Sequence, residues 1–395
     1  MVAVIFILIA LCSLRAAAAQ KQSTSLQDFD RLAALAAQAR DANRLDEAVT
    51  LYRQALRSRP KWGEGWFYLA TLLYERDSWA EAVQAFRKAT DLDPKVGTAW
   101  VMLGLCEFKL GRFNDALEHI QHGRRLGTPA EPQFNYVMLY HEGLLLLGKG
   151  EFERAQDTLG LLSSDGVENE DLTTALGLSV LRISFSDLLA GDSALRELVR
   201  RAGWAEHLAA QKKFDEALSE YARLATDFPR AQNVQYAYGR FLIVSNQDEK
   251  AIAAFKREIE NTPNHLLARL WIADTKFRLK DFAGGLPYAE EVVKLSPQLP
   301  VGHFLLGAML LGAGQTARAI TELETAQRSL TNEPKIYFQL ARAYATAGRK
   351  ADANRARTTF TRLNKQMEEA KKAEQDRRSE VTRDNPSSTV KPSRP

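Results

Sequence analysis

The sequence predicts an all-α fold, a stack of about nine helical hairpins with one extra irregular helix. Three observations carry that reading. First, small residues recur in pairs twelve apart, and the pairs repeat every 34 residues. Ala70 and Ala82 are followed by Gly104 and Ala116. The same pair falls at Ala205/Ala217, Gly239/Ala251, Ala273/Gly285, Gly307/Ala319 and Ala341/Ala353. Ala36/Ala48 precede them, and Gly143/Ala155 fit after a slip of five residues. Two helices cross closely only where neither carries a bulky side chain. Second, large apolar residues keep the same phase around these pairs. Third, proline gathers at the ends of the units (Pro60, Pro94, Pro229, Pro263, Pro297), where it stops one helix and sets up the next.

With Gly63 as position 1 of a unit, Trp66 is position 4, Leu69 position 7 and Ala70 position 8. Trp79 is then position 17, Ala82 position 20, Phe86 position 24, Ala89 position 27 and Pro94 position 32. The next unit places Trp100, Leu103, Gly104, Phe113, Ala116 and Ile120 in the same slots. This pattern resembles the tetratricopeptide repeat family. The resemblance covers most of residues 29–367 and implies a right-handed α-solenoid, in which each hairpin buries its apolar face on its neighbours.

The elements follow in order. Residues 1–19 read as an export signal: Val2–Leu14 is apolar and Ala17-Ala18-Ala19 precedes Gln20, although no Lys or Arg stands before the apolar run. Residues 20–28 are a polar leader. Units begin near 29, 63 and 97. Pro129 and Pro132 break the phase, and a degenerate unit follows near 136, closing an N-terminal block of four units over 29–169. Ser163-Ser164-Asp165-Gly166 signals a loop. Residues 170–197 read as an irregular joint with an apolar helix over 171–189, followed by a helix capped at Gly191-Asp192-Ser193. Five units then run without insertion over 198–367, starting at 198, 232, 266, 300 and 334. Residues 368–395 form a charged helical cap and a basic tail rich in Pro and Ser.

In the family this chain resembles, helix A lines a concave groove with positions 2, 5, 9 and 12. Position 5 here supplies Phe67, Val101, Tyr140, Tyr236, Leu270, Phe304 and Phe338. Position 12 supplies Tyr74, Phe108 and Phe277, and position 9 supplies Arg240, Asp274 and Arg342. Positions 5 and 12 lie two turns apart on one stripe. The resemblance therefore implies an aromatic and aliphatic groove for a peptide. Read from the residues, Asp274 is expected to pair with Arg240 one unit away, a structural role, and Arg342 either to stack on Phe338 or to grip a carboxylate. Positions 4, 7, 24 and 27 read as core. Position 9 never carries Asn and position 5 never carries Lys, which disfavours the family's carboxylate-clamp subset.

The net charge is +4, and its excess sits in the signal and in residues 361–395. The near-neutral body argues against nucleic-acid binding. Once the signal leaves with Cys12, Cys106 stands alone and no internal disulfide forms. His119 and His122 are spaced i, i+3, with no third ligand and no His-Glu-x-x-His; a surface pair at a helix C-terminus accounts for them. No phosphate-loop, dinucleotide or nucleophile-elbow motif occurs. The sequence therefore predicts a non-catalytic scaffold without cofactor or metal that takes a protein or peptide partner. It is expected in the periplasm, at the cell envelope or secreted, and at a membrane only if its N-terminal segment stays uncleaved. The alternative is an assembly protein that self-associates weakly through its ends and charged tail.

Overall fold

The computed structural model describes residues 28–384. The predicted signal, all but the last residue of the polar leader, and residues 385–395 of the tail lie outside the described residues. The chain divides between Glu220 and Tyr221 into two compact units. The described residues are helical apart from short turns, with no strand among them.

The first unit holds α1 (28–41), α2 (Leu45–Ser58), α3 (Gly63–Glu75), α4 (Trp79–Leu92), α5 (Gly97–Lys109), α6 (Phe113–Leu126), α7 (Pro132–Gly148) and α8 (Phe152–Ser164). It continues through α9 (Glu170–Leu181), α10 (Phe185–Ala190), α11 (Ser193–Ala210) and the first half of α12 (Phe214–Asp227). The second unit holds the rest of α12, then α13 (Val234–Val244), α14 (Asp248–Asn261), α15 (Leu266–Arg278), α16 (Phe282–Leu295), α17 (Pro300–Gly312), α18 (Thr316–Ser329), α19 (Pro334–Thr346) and α20 (Lys350–Asp384). α20 runs on well past the last repeat.

The paired small residues lie where the helices of one hairpin cross. Ala70, Ala82, Ala116, Ala251, Ala273 and Ala319 are fully buried. A Cβ on Gly104 would stand 2.8 Å from the Ala116 carbonyl oxygen, and one on Gly307 would stand 3.1 Å from that of Ala319. The backbones touch there, so no larger side chain fits. Each turn between the two helices of a hairpin also holds one residue with positive φ. These residues are Asn43, Asp77, Gly111, Gly150, Lys212, Asn246, Lys280, Gly314 and Gly348. This left-handed residue ends helix A and lets helix B fold back.

The predicted apolar helix over 171–189 is two helices. α9 stops at Leu181, and Arg182 takes φ 57°. Its guanidinium pairs with Glu153 and lies 4.8 Å from the Phe152 ring centre. Ser184 then caps α10 by accepting the Asp187 N–H at 3.1 Å. α9 is buried along most of its length and packs chiefly on α11, then on α8. It is therefore an extra helix packed between α8 and α11, and α11 is itself helix A of the hairpin that turns at Lys212 into α12. Gly177 and Gly203 make the crossing of α9 and α11 the closest: their added Cβ atoms would meet the carbonyl oxygens of Val199 and Thr173 at 1.9 and 1.8 Å.

Candidate interaction surface

The A helices bury positions 7 and 8 against helix B, which leaves positions 5, 9 and 12 on another stripe. In the first unit, Phe67 is half-buried and meets Tyr68 and Phe86 edge-on, at 5.9 and 5.8 Å. Tyr74 is also half-buried, and burial pushes its hydroxyl pKa up. Phe108 rests between Phe113 and His141 at 5.6 and 4.8 Å. Tyr140 stacks on Tyr136 at 5.5 Å with the rings nearly parallel, and burial, aided by Asp171, pushes its hydroxyl up to about 12.

In the second unit, Leu270, Phe277, Phe304 and Leu311 are partly buried and pack on one apolar cluster. Phe277 and Phe304 meet edge-on at 6.2 Å. Asp274 pairs with Arg278 one turn along its own helix, at 3.4 Å. Arg240 is half-buried. Phe338 is the most open ring of the stripe, at 46 % exposure. It touches Phe360 at 5.6 Å, and the exposed Arg342 guanidinium lies 5.9 Å from its centre while donating to Gln339 Oε1.

Two predicted groove residues are core instead. Val101 is fully buried because α5 and α6 approach through Gly97 and Gly123; a Cβ on Gly123 would meet Val101 Cγ2 at 2.7 Å. Tyr236 is 1 % exposed, with its ring 4.9 Å from His265 and 6.0 Å from Phe255. It lies at the start of α13, where the buried Glu258 carboxylate accepts the N–H groups of Asn233 and Tyr236 at 2.9 and 3.2 Å. Glu258 occupies a slot held by Ala89, Gly123 and Ala326 in other units. A carboxylate in that slot is the signal that sequence reading passed over. Burial raises its pKa, and the backbone donors only partly offset this.

The histidines serve structural bonds. His119 Nδ1 shares a hydrogen bond of 2.6 Å with the buried Glu107, which also accepts from Arg87 at 2.9 Å. Burial alone would raise the Glu107 pKa, but His119 and then Arg87 bring it below the ordinary value. His119 and His122 both lie against the Trp100 ring, so the predicted surface pair is instead half-buried packing. His207 accepts from Gln211 on Nε2 and donates from Nδ1 to Ser163 Oγ at 2.9 Å, and burial lowers its pKa. Cys106 is buried, and burial pushes its thiol up to about 12, far from a reactive thiolate. Among the described residues, no group of three His, Cys, Asp or Glu side chains is placed to hold a metal. Among the described residues, no helix is long and apolar enough to cross a membrane.

The tetratricopeptide repeat profile matches residues 33–96, 69–127, 203–265 and 249–300. The chain belongs to the tetratricopeptide repeat family. Proteins built from these repeats are generally non-catalytic scaffolds that bind protein partners. Among solved structures, the chain is similar to a MamA RS-1 ArsTM double mutant at 19 % identity, covering 43 % of this chain and 96 % of that one, with a TM-score of 0.41. MamA 41-end from Desulfovibrio magneticus RS-1 matches at 21 % identity, covering 43 % and 94 %, with a TM-score of 0.39. The APC/C hetero-tetramer Cut9-Hcn1 matches at 13 % identity, covering 85 % and 87 %, with a TM-score of 0.35. No curated protein matches the sequence.

Proposed function

We propose that this tetratricopeptide repeat protein is a non-catalytic scaffold that binds an extended or helical segment of a protein partner along its A helices. The observation that carries this reading is the run of half-open rings in the second unit, Phe277 and Phe304, ending in the exposed Phe338 beside Arg342. Rings that stay partly wet after folding offer large contact area at low entropy cost. Arg342 supplies a charged donor for a carboxylate at the same place.

The test is crosslinked capture from a cell-envelope extract with residues 20–395 as bait, beside the Phe304→Ala/Phe338→Ala variant of matched helicity and melting temperature. A partner held only by the unchanged bait is the expected result. Equal capture by both baits removes the groove reading and directs attention to the ends and the tail. Export is part of the same proposal, supported by the apolar run Val2–Leu14 and the alanines before Gln20. Intact-mass measurement of the mature chain is expected to find it starting at Gln20. A mature chain still starting at Met1 contradicts that part.

A further inference from the structure

A cleft of about 530 Å³ opens between α2 and α4 on a different stripe of α3 from Phe67 and Tyr74. Its floor is Trp66, Leu69 and Leu73, closed on either side by Leu56 and Ala85. Position 4 is therefore not simply core at Trp66, which is only half-buried. Arg53, Arg57, Glu81 and Lys88 stand on the rim. Arg53 is already paired with Glu81. Arg57 and Lys88 are exposed and have no carboxylate partner among the described residues. The cleft thus joins an apolar floor to two uncompensated positive charges.

The next repeat shows what such a space accepts. One period on, Trp100 replaces Trp66, His119 replaces Ala85, His122 replaces Lys88 and Glu107 replaces Leu73. The two imidazoles lie 5.3 and 4.7 Å from the Trp100 ring. Glu107 fixes His119 and Arg87 in place. Asp91 stands where the first cleft has Arg57. The second cleft is therefore filled from within by two planar rings, one of them held to a carboxylate, and an acidic residue stands at the rim position of Arg57. The first has the same floor tryptophan without the rings, and the opposite charge.

We propose that the Trp66 cleft is a second binding site. Its ligand is a partner peptide that lays an aromatic side chain against Trp66 and sets neighbouring carboxylates on Arg57 and Lys88. The ring contact and the charge pairing are the two interactions that the Trp100 repeat supplies to itself. The site is independent of the A-helix stripe, because no residue of that stripe lines it.

The probe is the capped pentapeptide Asp-Glu-Phe-Glu-Asp, titrated calorimetrically into the full chain. Asp-Glu-Ala-Glu-Asp and Lys-Lys-Phe-Lys-Lys serve as controls. The acidic Phe peptide is expected to bind, with both controls weaker by about tenfold or more. Two variants are compared. Ala85→His places an imidazole where the next repeat carries one. The double change Arg57→Asp/Lys88→Glu alters only exposed side chains and leaves the core intact. Each is expected to weaken the peptide by about tenfold or more, while Phe338→Ala leaves it unchanged. The proposal is overturned if the acidic Phe peptide fails to saturate the chain, or if the Ala peptide binds equally well. It is also overturned if Phe338→Ala abolishes binding, or if the double variant, with unchanged helicity, keeps full affinity.

Discussion

The α3/α4 and α5/α6 hairpins share a scaffold but not a surface. Both cross at a small pair, Ala70/Ala82 in one and Gly104/Ala116 in the other, and both turn through a left-handed residue, Asp77 or Gly111. Both set a tryptophan at position 4. In α5/α6 that tryptophan is covered by two histidines, and a buried glutamate is neutralised beneath it. In α3/α4 it floors an open cleft. The difference teaches that the crossing and turn slots set the hairpin, while the slots between them are free to close a surface or to offer it.

The largest effect tests the shared part. Gly104→Ile forces a branched side chain onto the Ala116 backbone and the Ile120 side chain, and is expected to cost about 3 kcal/mol or more. Ala70→Ile, at the same slot of the other hairpin, should cost a similar amount in denaturant melts. A tolerated change at either site breaks the idea that the crossing slot is common to both.

The next effect concerns what differs. Glu107→Ala removes the acceptor of Arg87 and His119 and should cost about 1.5–3 kcal/mol, the range for hydrogen bonds to charged groups. The Glu107 pKa is lowered from its ordinary 4.5. Its contribution is therefore fully present above that value and is lost as pH falls through the lower folded value. Glu258, whose pKa is raised from 4.5, has the opposite sign. Its contribution is full below that value and is lost as pH rises through the raised one. Melts of Glu107→Gln and Glu258→Gln against the parent from pH 3 to 7 check both directions. The Glu107 penalty should shrink on acidification, while Glu258→Gln should gain on the parent as pH rises through the raised pKa.

Much of this was legible beforehand. The small pairs mark the crossings because backbone contact admits only Ala or Gly. The turn slot was not legible, because Asn43, Asp77, Gly111, Lys212 and Lys280 share a φ but no chemistry. The stripe at positions 5 and 12 came from the resemblance to the repeat family, and helical spacing added only that the two positions share one face. The burial of Val101 did not, since it depends on Gly123 and Gly97 standing together across two helices. The break at Arg182 was hidden because the apolar run continues through Ile183 and Phe185 while the backbone turns.

The smallest effects sharpen the turn. Gly111→Ala meets no neighbouring atom, so its cost of about 1 kcal/mol is purely that of a left-handed backbone with a Cβ. Asp77→Gly, at the same slot of the neighbouring hairpin, should change stability by less than about 1 kcal/mol, because relief of that strain is opposed by backbone entropy. Thermal melts resolve both.

The most direct test of the whole account is hydrogen–deuterium exchange of the full chain with and without its captured partner. The account predicts added protection on the A helices that carry Phe277, Phe304 and Phe338, namely α15, α17 and α19, with their partner helices unchanged. Protection confined to α20, or appearing in the unbound chain as its own concentration rises, would contradict it.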